Sequence, residues 1–430
     1  MTPAPISFSH KSHRTSDSPI AFFIQQAIEN PHLISLAAGL VDEPSLPVEP
    51  VAAAVAQILA TTDSARAALQ YGSTQGLHSL REKALNLVCE ADGVKPSELN
   101  LSTKDVVLTT GSQQLLYLLG ELLLDPGDIV ITEAPSYFVY HAVLESMDVR
   151  VLTVPMDEHG MNTDALEERL KHLEHTNQLD RVKLIYTVDY FQNPTGLTLT
   201  LARRQHLLEL AQRFSKKHRI LVLEDAAYRE LRFDGPDLPS IKSFDERNEF
   251  VISTYTFSKP CAPGLKTGYG IMPREFIQPL LNLKGNHDFG SCNFVQHIID
   301  QLLETGAYDR HVKQLRSVYK HKRDVMRDAL EQQFGDLEGA SWTNPQGGFY
   351  FWLTLPDEVN TGPDGELVKV AVREGVIYVP GEFGHVAVEG KIPNNEARLC
   401  YGVVEPDEIP EAIRRLRAAV DAVVRRPVMV

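Results

Sequence analysis

Between residues 105 and 273 the chain alternates short, continuously apolar runs with amphipathic stretches, and few architectures accommodate that alternation. "DVVLTTG" (105–111) leads into "SQQLLYLLGELLL" (112–124), and "DIVITEAP" (128–135) into "SYFVYHAVLES". "VRVLTVPM" (149–156), "VKLIYTVDY" (182–190), "RILVLEDAAY" (219–228), "FVISTYTFSK" (250–259) and "TGYGIMP" (267–273) continue the series, with "TDALEERLKHL" and "LARRQHLLELAQRF" between them. A sheet with one wet face would show polar residues at every second position. These runs are apolar on both faces, so the strands should be covered from both sides. Strand–helix alternation of this kind predicts an α/β layered domain with a parallel-rich sheet.

Near residue 305 the pattern changes. A long charged helix is expected over 308–334, followed by "GGFYFWLTLP", "GVIYVPG", "ARLCYGVV" and the helical "DEIPEAIRRLRAAVDAVVRR". Four segments follow from this: a loosely ordered arm over 1–17, an N-terminal segment over 18–48 that packs with the small domain, a large domain over 49–304, and a smaller α+β domain over 305–430. A chain of 430 residues exceeds a single simple core, which fits two domains.

Bulk properties exclude several functions. A net charge of −15 argues against nucleic acid, because binding phosphate backbones needs a basic face. No apolar run approaches the roughly 20 residues that span a bilayer, and the polar start lacks a secretory signal, so the cytoplasm is expected. Cys89, Cys261, Cys292 and Cys400 form no CxxC pair and the histidines form no HExxH, so neither disulfides nor a metal are expected.

Four stretches place chemistry at strand ends, where open α/β sheets bind ligands. In "TTGSQQ" (109–114) a helix begins behind Gly111, and its free amides with the Ser112 hydroxyl suit an anion; an ordinary helix cap reads the same way. "NPTG" (193–196) is a turn whose Asn193 amide can face a ligand or cap the turn. Asp225 ends an intensely apolar strand, where a carboxylate needs a cation or a cap, and Tyr228 lies three residues on. "TYTFSKPCAPGLKTGYG" (254–270) carries Lys259 behind Thr256 and Ser258, and Lys266 seven positions later. A buried lysine becomes a nucleophile toward carbonyls, whereas a solvated turn would carry two inert lysines.

Taken in order, these stretches resemble the class I/II aminotransferases, the fold type I enzymes that depend on pyridoxal 5′-phosphate. The resemblance runs from about residue 20 to the C-terminus. It includes "LAAGLVDEPSLP" (36–47), "YGSTQGLHSLRE" (71–82), "PSYF" (135–138), "NPQGGFYFW" (344–352) and "ARLCYG" (397–402). The wording is similar to the group acting on 2-aminoadipate, aromatic or branched-chain amino acids.

The resemblance implies a mostly parallel seven-stranded sheet between helices, and a role for each matching residue. Lys259 would be the internal-aldimine lysine and then the base that moves the α-proton. Asp225 would pair with the ring nitrogen, Asn193 and Tyr228 would bond the phenolic oxygen, and Tyr137 would stack on the ring. Ser112, Gln113, Thr256, Ser258 and Lys266 would hold the phosphate, with Tyr71 reaching it from the second subunit of a homodimer. Arg398 would clamp the substrate carboxylate, with Asn193 and Gly39 beside it. Lys266 stands where the family's "PGLRxGY" has arginine. The expected reaction moves an amino group from an L-α-amino acid to a 2-oxo acid; the alternative is a lyase, decarboxylase or oxidase on the same scaffold.

Overall fold

The computed structural model describes residues 6–15, 30, 32–387 and 392–424. Among them the strands are β1 (Ile34–Ser35), β2 (Val106–Thr109), β3 (Ile129–Ala134), β4 (Arg150–Asp157), β5 (Gly160–Met161), β6 (Val182–Thr187), β7 (Leu221–Asp225), β8 (Val251–Thr256), β9 (Gly268–Ile271), β10 (Ser341–Trp342), β11 (Tyr350–Thr354), β12 (Val376–Ile377), β13 (Val379–Pro380) and β14 (Glu396–Cys400).

The large sheet runs β2-β9-β8-β7-β6-β3-β4-β5. Its centre, from β8 through β7, β6 and β3 to β4, is parallel, while β9 runs antiparallel to both β8 and β2. Among the described residues it therefore has eight strands, not seven. The additional one, β5, folds back on β4 through a turn in which Gly160 has φ +89°, a conformation that favours glycine. Two residues are too few to show a strand pattern in a sequence.

The doubly apolar runs are explained by two cores. Along β6, Leu184 and Tyr186 face one apolar cluster while Val182 and Ile185 face the other. Along β7, Leu221 and Leu223 face the first and Val222 the second. The period of two is kept along β7 and from Leu184 along β6, broken only at Val182 where the β3–β6 register shifts, and both faces are dry. The helices Thr163–His175 and Leu201–Phe214 cover one face, and Gly111–Leu123 the other.

The 28-residue helix Ala307–Phe334 precedes a second, antiparallel sheet in the order β10-β11-β14-β13. β1 pairs in parallel with β12, so residues near 34 join the C-terminal part of the chain. The rest of the N-terminal segment, 18–29 and 31, lies outside the described residues. Within the stretch expected as a loose arm, His10–Arg14 form a helical turn, and Lys11 donates to the Tyr117 hydroxyl at 2.8 Å and pairs with Glu121. Among the described residues no helix is long and apolar enough to cross a membrane, and no cluster of acidic, histidine or cysteine residues could hold a metal ion.

Candidate active site

Strands β2, β6, β7 and β8 all end at one edge of the large sheet, and β9 starts there. The segments leaving that edge meet β11 and β14 of the second sheet around a cavity of about 290 Å³. Every predicted site residue except Tyr71 lines it.

At one end lies the start of the helix Gly111–Leu123, with Ser112 and Gln113 in its first turn. Its unpaired amides and the positive end of its dipole attract an anion. Thr256, at the end of β8, and Ser258 and Lys266, in the loop between β8 and β9, line the same cavity. The Thr256 hydroxyl accepts from the Ser258 amide at 3.1 Å, which folds that loop back on itself. Lys266 sits in the left-handed region at φ +44° and forms no ion pair among the described residues. The approach of β9 to the helix start requires glycine: a Cβ on Gly268 would lie 2.8 Å from both Gly111 C and Ser112 N.

At the other end, Asp225 closes β7 with a buried carboxylate. Its Oδ2 accepts from the Tyr186 hydroxyl at 3.0 Å, while Oδ1 has no hydrogen-bond partner among the described residues. Burial pushes this carboxyl up to about 6, against the pull of the Tyr186 hydroxyl and the Ala227 amide. Lys259 Nζ donates to the Gly39 carbonyl at 3.0 Å. Burial pushes its ammonium down to about 8; Cys400 opposes this, and the charges of Arg398 and Lys266 add to it. Tyr137 donates to Gln113 Oε1 at 3.3 Å.

Arg398, on β14, is almost wholly buried and donates to Asn193 Oδ1 at 2.9 Å and to the Ala37 carbonyl at 2.8 Å. Among the described residues its Nε has no partner. The guanidinium lies 4.6 Å from the Tyr350 ring centre, and the Tyr350 hydroxyl shares a 3.0 Å hydrogen bond with Tyr228. Tyr350 lies in the block 344–352, where nothing in the sequence sets it apart from core. Only the pairing of β11 with β14 brings it beside Arg398.

The turn that carries Asn193 is braced on both sides by residues with no mark in the sequence. The buried Glu133 carboxylate accepts from the Val188 amide (2.8 Å), the Thr187 hydroxyl (2.8 Å) and Gln192 Nε2 (3.0 Å). Gln192 Oε1 in turn accepts from the Thr195 amide at 3.0 Å. Nothing marks Glu133 in the sequence except an acid inside an apolar run. Tyr71 stands outside the cavity, 81% exposed, with its ring edge-on to Phe289 at 5.6 Å. Within one chain it does not join the site.

The cavity fits pyridoxal phosphate on its own chemistry. It has an anion-binding helix start at one end, an unpartnered buried carboxylate oxygen for a ring N–H at the other, and an amine of lowered basicity beside them.

Comparison with known proteins agrees. The family model for aminotransferase class I and II matches residues 31–416. Aromatic-amino-acid aminotransferase 1 of Thermococcus litoralis is 36% identical over 411 residues, covering 95% of this chain and 93% of that protein. The kynurenine aminotransferase of Pyrococcus horikoshii, solved in complex with PMP, superposes at a TM-score of 0.88 with 34% identity, covering 97% of this chain and 98% of that one. The α-aminoadipate aminotransferase of Thermus thermophilus, solved with N-(5′-phosphopyridoxyl)-L-leucine, gives 0.80 with 32% identity, over 97% and 98% of the two chains. These likenesses favour transamination over the lyase, decarboxylase or oxidase alternative. The chain belongs to the class I and II aminotransferases, and it is a pyridoxal-phosphate-dependent aminotransferase of fold type I.

Proposed function

We propose that this enzyme exchanges the amino group of an L-α-amino acid with a 2-oxo acid, one substrate at a time, with Lys259 as the proton carrier. When bound, pyridoxal phosphate supplies the carbonyl that takes up the amino group and the ring that draws electrons from the substrate α-carbon. Lys259 would hold the cofactor covalently at rest and, once displaced by the substrate amino group, its free amine would carry the proton taken from the substrate α-carbon. Asp225 Oδ1 would accept from the ring nitrogen. Asn193 and the Tyr228 hydroxyl would bond the phenolic oxygen, and Tyr137 would cover the ring face. Ser112, Gln113, Thr256, Ser258 and Lys266 would bind the phosphate. Arg398 binds the substrate α-carboxylate, its unpartnered Nε supplying a donor, with Asn193 and Gly39 alongside.

The observation that carries this reading is the convergence of an acidified lysine and an unpartnered buried carboxylate oxygen in one cavity. Borohydride treatment of the loaded enzyme should fix the cofactor to the peptide containing Lys259. Lys259→Ala should abolish amino transfer while leaving the fold intact. A Lys259→Ala enzyme with undiminished turnover would refute the assignment.

A homodimer in the cytoplasm completes the proposal, with Tyr71 of each chain serving its neighbour's phosphate site. Support comes from the exposure of Tyr71 together with Leu69 and Phe289, three large apolar side chains left uncovered on one chain. The division into a large domain ending near residue 304 and a small one beyond it is supported by the two separate sheets.

A further inference from the structure

We propose that Tyr186 is a positioning residue for the cofactor ring: its hydroxyl pins Asp225 Oδ2, so that Oδ1 is the oxygen left to accept from the ring nitrogen. The inference rests on the assignment of Asp225 given above and concerns what orients that carboxylate.

Tyr186 and Asp225 sit on adjacent parallel strands, β6 and β7. Tyr186 is paired with Leu223, and Asp225 is two residues further along β7, on the same face. That diagonal is the separation a long aromatic side chain can bridge. The hydroxyl donates to Oδ2 at 3.0 Å. The ring is fully buried and packs on Tyr140 with centroids 4.4 Å apart, so the phenol has little freedom to leave. With the Tyr186 hydroxyl on Oδ2 and the Ala227 amide acting on the same group, the carboxylate loses its rotation and keeps Oδ1 fixed in direction. Oδ1 is buried and without a partner among the described residues, a costly state unless a ligand donor meets it. A donor held on the carboxylate also favours the ionised form, which the ring nitrogen requires.

A tyrosine that merely fills the core predicts something different, and Tyr186→Phe separates the two, since it keeps the ring and removes only the hydroxyl. The measurement is binding of two ligands to the apoprotein: pyridoxal phosphate, and its analogue with C–H in place of the ring nitrogen. Tyr186→Phe should weaken pyridoxal phosphate roughly tenfold, the worth of one hydrogen bond to a charged group, and leave the analogue unchanged. Asp225→Ala should show the same selectivity with a larger loss. The Asp225 carboxylate stretch in the apoprotein infrared spectrum, identified by its absence in Asp225→Asn, should move in Tyr186→Phe. If Tyr186→Phe weakens both ligands equally or neither, or leaves the carboxylate band in place, while Asp225→Ala stays selective, the proposal alone falls. If Asp225→Ala is itself unselective, the Asp225 assignment falls and takes the proposal with it.

Discussion

The acidity of Lys259 in the apoprotein is the most direct handle on this site. A lysine reacts with carbonyls only as the neutral amine. At pH 7.5 an ordinary lysine is about 0.1% neutral. With burial lowering it to about 8, Lys259 would be about a quarter neutral at that pH, a gain of roughly 200-fold in reactive amine. Trace acylation of the apoprotein between pH 6 and 11, with Lys259 followed by mass spectrometry, should give a midpoint near 8. Lys266→Gln removes a like charge, the smallest of the causes acting on Lys259, and should raise that midpoint by less than about one pH unit. A midpoint at 10 or above would mean that the amine behaves as if solvated. The account of how the cavity prepares it would then be wrong, whatever the enzyme's activity.

The same shift predicts a stability effect. The drop from 10.5 to about 8 corresponds to about 3 kcal/mol, which solvent at the cavity mouth reduces to roughly 1–3 kcal/mol. Below pH 8 Lys259 is charged in both folded and unfolded states, so the apoprotein carries the whole penalty, and Lys259→Met should be the more stable protein. Between about 8 and 10.5 only the unfolded state keeps the proton, wild-type stability rises with pH, and the gap should close; denaturant titrations across that range would show it. Gly268→Ala would push a methyl into the Tyr255 carbonyl at 2.7 Å and the helix start at 2.8 Å, costing about 1–3 kcal/mol and weakening cofactor binding, as thermal melts and cofactor titration would register. Mixing Lys259→Ala chains with Tyr71→Ala chains should restore about a quarter of the wild-type sites, because half the random dimers contain one intact site. Activity no greater than that of the separate variants would exclude a shared site.

The apolar runs were enough to read the layered α/β plan, because a strand dry on both faces leaves a continuous apolar signature. β6 and β7 show it most plainly, each feeding two cores at once. The lysine, aspartate and asparagine of the site were also legible, since each sits at a strand end in a loop of unusual composition. Tyr350 and Tyr186 were not. An aromatic residue inside an apolar run looks like core, and both are indeed buried. What gives them a role is a partner far away in sequence: Arg398 across the β11–β14 pair for one, Asp225 across β6–β7 for the other.

The local code therefore determined which residues could do chemistry: a nucleophilic amine, a carboxylate, a helix start for phosphate. The tertiary structure decided what state those groups are in. Lys266 and Lys259 are seven residues apart in one loop, and it is the placing of Lys259 against Gly39, Arg398 and Cys400 that weakens its hold on the proton through burial. Burial and neighbouring charge are set by strands and loops hundreds of residues apart, and no short stretch of sequence records that distance.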